Sequence, residues 1–322
     1  MAPPSDAASS FRSSAASLRG TTANTVAVSI AFIIALVGTV SGALADPALT
    51  AWALRFFLVA VLLMVSSIAT VSKLVRDDAL ADHFPGEPLL AAVLRGSLYS
   101  RVLSWAIAVT SVTLPPYALL SVASVSDAGA ESTRFLLLGL AYLFAATLNL
   151  AKNTRDSFDA DYFERAFSAA PTAMTARALA SVASGTTAFK TLNTITTAAS
   201  FIAAIGGAWT NDALVRERQA LFTVGLFFVA YSAMQVSKLV RDYADPVAAQ
   251  PRVPYAAATW VGFAIALTCH AAAIALMPVT DAQRRFFALA SLFVLSSVLA
   301  LAKLLRDDQE REEKVAGGAH TE

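Results

Sequence analysis

The chain has 322 residues, a length that would suit two soluble domains. Its composition excludes that: 57% of the residues are apolar, 15% are charged against roughly 25% in a soluble domain, and the mean hydropathy is +0.60. With 24 Lys or Arg against 23 Asp or Glu the net charge is +1, which argues against nucleic acid as a partner. The single cysteine, Cys269, rules out an internal disulfide or a cysteine-based zinc cluster.

In chain order, residues 1–24 are rich in Ser and Ala, with Arg12, Arg19 and one acid, Asp6. They read as a disordered tail or a targeting segment. Eight apolar runs free of Asp, Glu, Lys and Arg follow, at 25–44, 56–72, 102–123, 135–150, 191–209, 220–236, 256–277 and 286–302. A membrane-crossing helix needs about 17–25 such residues, and the shorter runs reach that length when flanking side chains snorkel. Pro115-Pro116 in the third run predicts a kink or break. The linkers 79–98 and 243–255 each join two runs into a larger group, and 157–190 is the longest connection. Within them, Leu89, Leu90, Val93, Leu94 and Leu98, and more weakly Pro171–Gly185, predict surface or connecting helices. The polar tail 309–322 reads as disordered. The fold class is therefore all-α: a polytopic membrane protein with eight transmembrane helices. Its first four-span half is 25–156 (hairpins 25–78 and 99–156), and its second is 191–308 (hairpins 191–242 and 256–308).

Eighteen of the Lys and Arg residues fall at the termini and in the linkers 73–101, 151–190 and 237–255, all on one side of these spans. Only Arg55, Arg134, Arg216, Arg218, Arg284 and Arg285 fall on the other. Positive charge resists translocation, so both termini are expected on the positive-inside face of a bacterial inner membrane or an organelle membrane.

Each even-numbered span ends alike: Lys73-Leu-Val-Arg76-Asp77, Lys152-Asn-Thr-Arg155-Asp156, Lys238-Leu-Val-Arg241-Asp242 and Lys303-Leu-Leu-Arg306-Asp307. Eighteen residues before three of these lysines stand Arg55, Arg134 and Arg285; the third copy has Ala220 there, with Arg218 two residues earlier. Eighteen helical residues rise roughly 27 Å, close to the hydrocarbon thickness. The repeating unit is a helical hairpin with a cation at each face. The four repeats are parallel, because every hairpin starts and ends on the same side.

These four K-x-x-R-D endings after apolar hairpins resemble the YiaA/YiaB-type two-helix domain of bacterial inner membranes, whose members often carry two such hairpins. The resemblance covers nearly all of 25–308. Trp105 and Trp260 match a tryptophan in the family's first helix, while Ile30 and Ile195 stand there in the other copies. It implies fold and membrane location, and brings no established activity with it.

The repeated motif has two readings. As an anchor, Lys pairs with Asp at i+4, the cations suit the negative helix end, and their stems cover apolar surface. As a site, Lys73, Arg76, Lys152, Arg155, Lys238, Arg241, Lys303 and Arg306 contact anionic phospholipid headgroups. His270, beside Cys269, is the one ionisable pair deep in a span; it reads as an interhelical hydrogen-bond donor or an intramembrane polar site, and Cys269 as a buried small residue. Asp77-Asp78 and Asp307-Asp308 read as solvated ion-pair partners rather than metal ligands. With His83 and His320 outside the spans, a bis-His haem within one chain is excluded, and no cofactor is expected. No catalytic motif is present, so the chain is read as no enzyme. The expected function is a structural, stress-related or lipid-interacting membrane component, with membrane lipids or a membrane-protein partner. The alternative is a transporter or channel for a small uncharged solute, which the repeat symmetry and Pro115-Pro116 favour.

Overall fold

The computed structural model describes residues 22–46, 49, 51–81, 98–123, 128–167, 186–244 and 253–319. They form eight helices: α1 (Thr22–Leu44), α2 (Ala51–Ala81), α3 (Leu98–Ala123), α4 (Ala128–Phe167), α5 (Thr187–Trp209), α6 (Arg216–Ala244), α7 (Val253–Ala275) and α8 (Asp281–Ala319). The described residues are otherwise turns and short connections. Of the linkers 79–98 and 157–190, residues 82–97 and 168–185 lie outside the described residues, with the segments 89–94 and 171–185 inside them, as do residues 1–21.

Six of these helices are long and apolar enough to cross a membrane: Ala23–Leu44, Ala53–Asp78, Thr133–Ser157, Arg216–Val240, Val253–Ala275 and Asp281–Leu305. The third and fifth apolar runs fall on α3 and α5. Helix α3 carries Arg101 and Pro115-Pro116, and α5 carries Lys190, Asn193 and five threonines. The hydroxyls of Thr194, Thr196 and Thr197 donate to carbonyls one turn back, so they are satisfied inside their own helix. Helix α3 continues through Pro115-Pro116 unbroken.

Local chemistry sets several ends. Thr186 caps α5 by accepting from Phe189 N–H at 3.2 Å. Thr280 and Gln283 form a reciprocal capping box at the start of α8. The carbonyls at the end of α7 are met by Arg218, which donates to Leu276 O at 3.0 Å, and by Arg284, which donates to Met277 O at 3.3 Å. Helix α4 runs on to Phe167, into the central linker, and α8 runs through 309–319, where the sequence reads as a tail. That stretch is rich in Glu, Gln, Lys and Arg, all strong helix formers.

The two helices of one hairpin are not each other's main packing partners. Helix α1 packs chiefly on α4, and α2 on α3; α5 packs chiefly on α8, and α6 on α7. Each odd helix thus lies against the even helix of its sister hairpin rather than its own. The even helices meet in the interior: α2 on α4, α4 on α8, and α8 on α6.

Counting back from the lysine of each K-x-x-R-D element, the residues sixteen, twelve, nine, six and five positions upstream are buried in all four even helices. They are Phe57, Val61, Met64, Ser67 and Ile68 in α2, and Leu136, Leu140, Leu143, Ala146 and Thr147 in α4. In α6 they are Phe222, Leu226, Val229, Ser232 and Ala233, and in α8 Phe287, Ser291, Val294, Ser297 and Val298. This spacing defines one helix face. Lipid provides no water-driven force between helices, so close packing and small residues supply the adhesion. Gly42 in α1 lies against Phe135 in α4, where a Cβ would overlap the ring. Gly207 in α5 lies against Phe286 in α8, where a Cβ would come within 2.5 Å. At mid-bundle Tyr142 of α4 stacks on Phe293 of α8, ring centroids 5.2 Å apart.

Candidate functional site

The K-x-x-R-D elements of α2 and α4 meet where the apolar stretches Ala53–Asp78 and Thr133–Ser157 end. Within each, Lys pairs with Asp one turn on: Lys73 with Asp77 at 3.2 Å, and Lys152 with Asp156. The arginines reach across. Arg76 of α2 donates to Asp156 of α4, and Arg155 of α4 donates to Asp77 of α2 at 2.9 Å. This reciprocal exchange requires the two helices to run parallel with equivalent residues facing. Lys303 of α8 joins at 3.7 Å from Asp156 Oδ2, the oxygen that also takes Lys152. Arg101 of α3 pairs with Asp78.

Burial ranks these contacts. Asp156 is 1% exposed and the Arg76 side chain 9%, whereas the Lys73 side chain is 60% exposed. Asp77 is buried too, against the solvated role its sequence context suggests; the exchange with Arg155 draws it inside. Of the eight cations singled out in the sequence, Lys73, Arg76, Lys152, Arg155 and Lys303 therefore converge on two carboxylates. Lys238 is exposed on α6. The side chains of Arg241, Arg306 and Asp307 lie outside the described residues.

Beside Asp156 a small cleft of about 30 Å³ opens between the two halves. Its lining comes from α1 (Asn24, Val28), α4 (Asn149, Lys152, Asn153, Asp156), the start of α5 (Phe189) and α8 (Ala300, Lys303, Leu304). Asn24 donates to Asn153 Oδ1 at 2.9 Å and Asn153 to Thr25 Oγ1 at 3.2 Å, which fixes the amide wall. Lys152 Nζ also stands 5.4 Å from the centroid of Phe189, a cation–π contact. The K-x-x-R-D elements supply Lys152, Asp156 and Lys303, but no motif marks the rest of the cleft, because its lining residues come from four helices.

His270 of α7 is buried and its Nε2 lies 2.9 Å from Ser291 Oγ of α8. The Ser291 hydroxyl donates its one proton to Phe287 O at 2.8 Å, so His270 Nε2–H must be the donor to Ser291. Nδ1 is then an acceptor; it faces Gly225 of α6, where a Cβ would sit 2.8 Å away, and has no hydrogen-bond partner among the described residues. The imidazole also packs on Phe222, centroids 5.0 Å apart. Cys269, expected to be buried, is exposed on α7. That helix is apolar nearly all round, and the His270 contacts turn Cys269 outward.

The family model described as yiaA/B two helix domain matches residues 255–307, which span α7 and α8 up to the fourth K-x-x-R-D element. No curated protein and no solved structure matches the chain.

Proposed function

We propose that this protein is an integral multi-pass membrane protein with a non-enzymatic, structural role. Eight helices cross the membrane as four hairpin repeats in two halves, and both termini lie on the positive-inside face of a bacterial inner membrane or an organelle membrane. The two-helix domain at 255–307 and the six span-length apolar helices support the membrane setting. The shared burial register of the four even helices and the paired Gly42–Phe135 and Gly207–Phe286 contacts support the repeats. The observation that carries the structural reading is the reciprocal exchange of Arg76–Asp156 and Arg155–Asp77. It uses the motif to lock one hairpin to its sister at the membrane boundary. The Tyr142–Phe293 stack and the apolar core around it fill the space between the halves, which favours packing over passage of a small uncharged solute.

Single cysteines introduced one at a time in a Cys269→Ser background test this reading. Positions 45, 126, 210 and 279 are expected to react with a membrane-impermeant maleimide from outside, and positions near both termini only after permeabilisation. Labelling of position 210 and the C-terminus from the same side overturns it.

A further inference from the structure

The cleft between the halves has a division of labour that the interlock does not require. Its lining falls at matched positions counted from the motif lysines of α4 and α8. Asn149 corresponds to Ala300, Lys152 to Lys303, and Asn153 to Leu304. The lysines are kept on both sides, while the other pairs are amide on the α4 wall and apolar on the α8 wall. Both ammonium groups lie within 4 Å of one oxygen, Asp156 Oδ2, so they stand close together in the cleft lining. That carboxylate is already held by Arg76 as well. Arg76, Lys152 and Lys303 thus gather at Asp156, next to an opening edged by amides on one wall and carbon on the other.

We propose that this cleft binds a phosphate group, with Lys152 and Lys303 as its charge partners and Asn149 on its polar wall. The proposal deepens the membrane-component reading by naming a ligand chemistry. Lysine acts on phosphate as a compact point charge, and two of them suit a group with several acceptor oxygens. An open-mouthed cleft of about 30 Å³ takes roughly two water-sized groups, so it admits two oxygens of a phosphate whose remainder stays at the mouth, and is too small for a nucleoside. The cleft lies at the end of the span Thr133–Ser157, at headgroup depth, where basic pockets between helices take anionic headgroups. Phosphate also reaches this depth from water, so the source is left to the test.

The full chain, purified in detergent, is titrated with inorganic phosphate, with dihexanoyl phosphatidic acid and with dihexanoyl phosphatidylglycerol, and adducts are counted by native mass spectrometry. A single saturable adduct is expected. Binding of a lipid probe alone assigns the group to the membrane and gives the apolar wall a role; binding of inorganic phosphate assigns it to water; either supports the site. Lys303→Gln and Lys152→Gln are each expected to weaken the adduct about tenfold or more, while Lys303→Arg retains it. Asn149→Leu fills the polar wall without touching an ion pair, and is expected to weaken it in a protein whose melting temperature is unchanged. Arg216→Gln, at the far membrane face, leaves it intact. Absence of any adduct with the three probes, or equal binding by Lys152→Gln, Lys303→Gln and Asn149→Leu, overturns the proposal. Because the readout is in detergent, this failure is separate from failure of the topology test.

Discussion

Asp156→Asn removes the charge at the centre of the interlock while keeping its size and one acceptor oxygen. In the native protein Asp156 is 1% exposed and faces Arg76, Lys152 and Lys303. Its loss leaves buried cations facing a neutral amide, and breaking a buried pair in this way costs about 3–5 kcal/mol. At about 2 °C per kcal/mol for a chain of this size, the melting temperature falls by about 6–10 °C. Asp77→Asn is the internal control. Asp77 is buried as well, but its partners are more open: the Lys73 side chain is 60% exposed and that of Arg155 30%. Solvent screens the first of these pairs, so the cost drops to about 1–2 kcal/mol. Intrinsic tryptophan fluorescence during thermal unfolding in one detergent compares the two variants. If Asp77→Asn is as damaging as Asp156→Asn, or if Asp156→Asn melts within about 1 °C of the parent, the buried interlock does not hold the bundle together.

Adjacent glycines in α5 are expected to respond in opposite ways. Gly207→Ala drives a methyl to within 2.5 Å of the Phe286 ring and costs about 1–3 kcal/mol, whereas Gly206→Ala meets nothing within 4 Å and is neutral or slightly stabilising in the same melting assay. Gly225→Ala places a Cβ 2.8 Å from His270 Nδ1; it destabilises the parent by about 1–3 kcal/mol and a His270→Ala background by less, read as a double-mutant cycle. Cys269, exposed on α7, is expected to react in native membranes with a lipid-soluble maleimide and not with an impermeant one.

Much of this arrangement is legible in the sequence because the motif repeats at fixed distance from each apolar run. The i to i+4 spacing gives the Lys73–Asp77 and Lys152–Asp156 pairs, and the small, charge-free spans give an all-helical bundle. The arginines are another matter. Arg76 and Asp156 are 80 positions apart, and no local rule says that α2 and α4 lie side by side with their ends level. The exchange of odd helices between sister hairpins is hidden for a related reason. Helices such as α1 and α7 are apolar nearly all round, so they carry no clear stripe that names a neighbour; Gly42 against Phe135 becomes informative only once the two are seen in contact. The same uniformity conceals the outward turn of Cys269. The cleft is illegible because its walls differ by single substitutions, Asn149 against Ala300 and Asn153 against Leu304, on two helices far apart in the chain.

The exchange of helices between sister hairpins is the central structural claim, and cysteine cross-linking in a Cys269→Ser background tests it most directly. Asn24 of α1 and Asn153 of α4 touch at 2.9 Å, so Asn24→Cys and Asn153→Cys together are expected to form a disulfide on mild oxidation, identified as a cross-linked peptide pair by mass spectrometry. Asn24→Cys paired with Val75→Cys of α2 is expected to remain reduced. A disulfide between 24 and 75, with none between 24 and 153, would mean that each hairpin closes on itself, and would contradict the account.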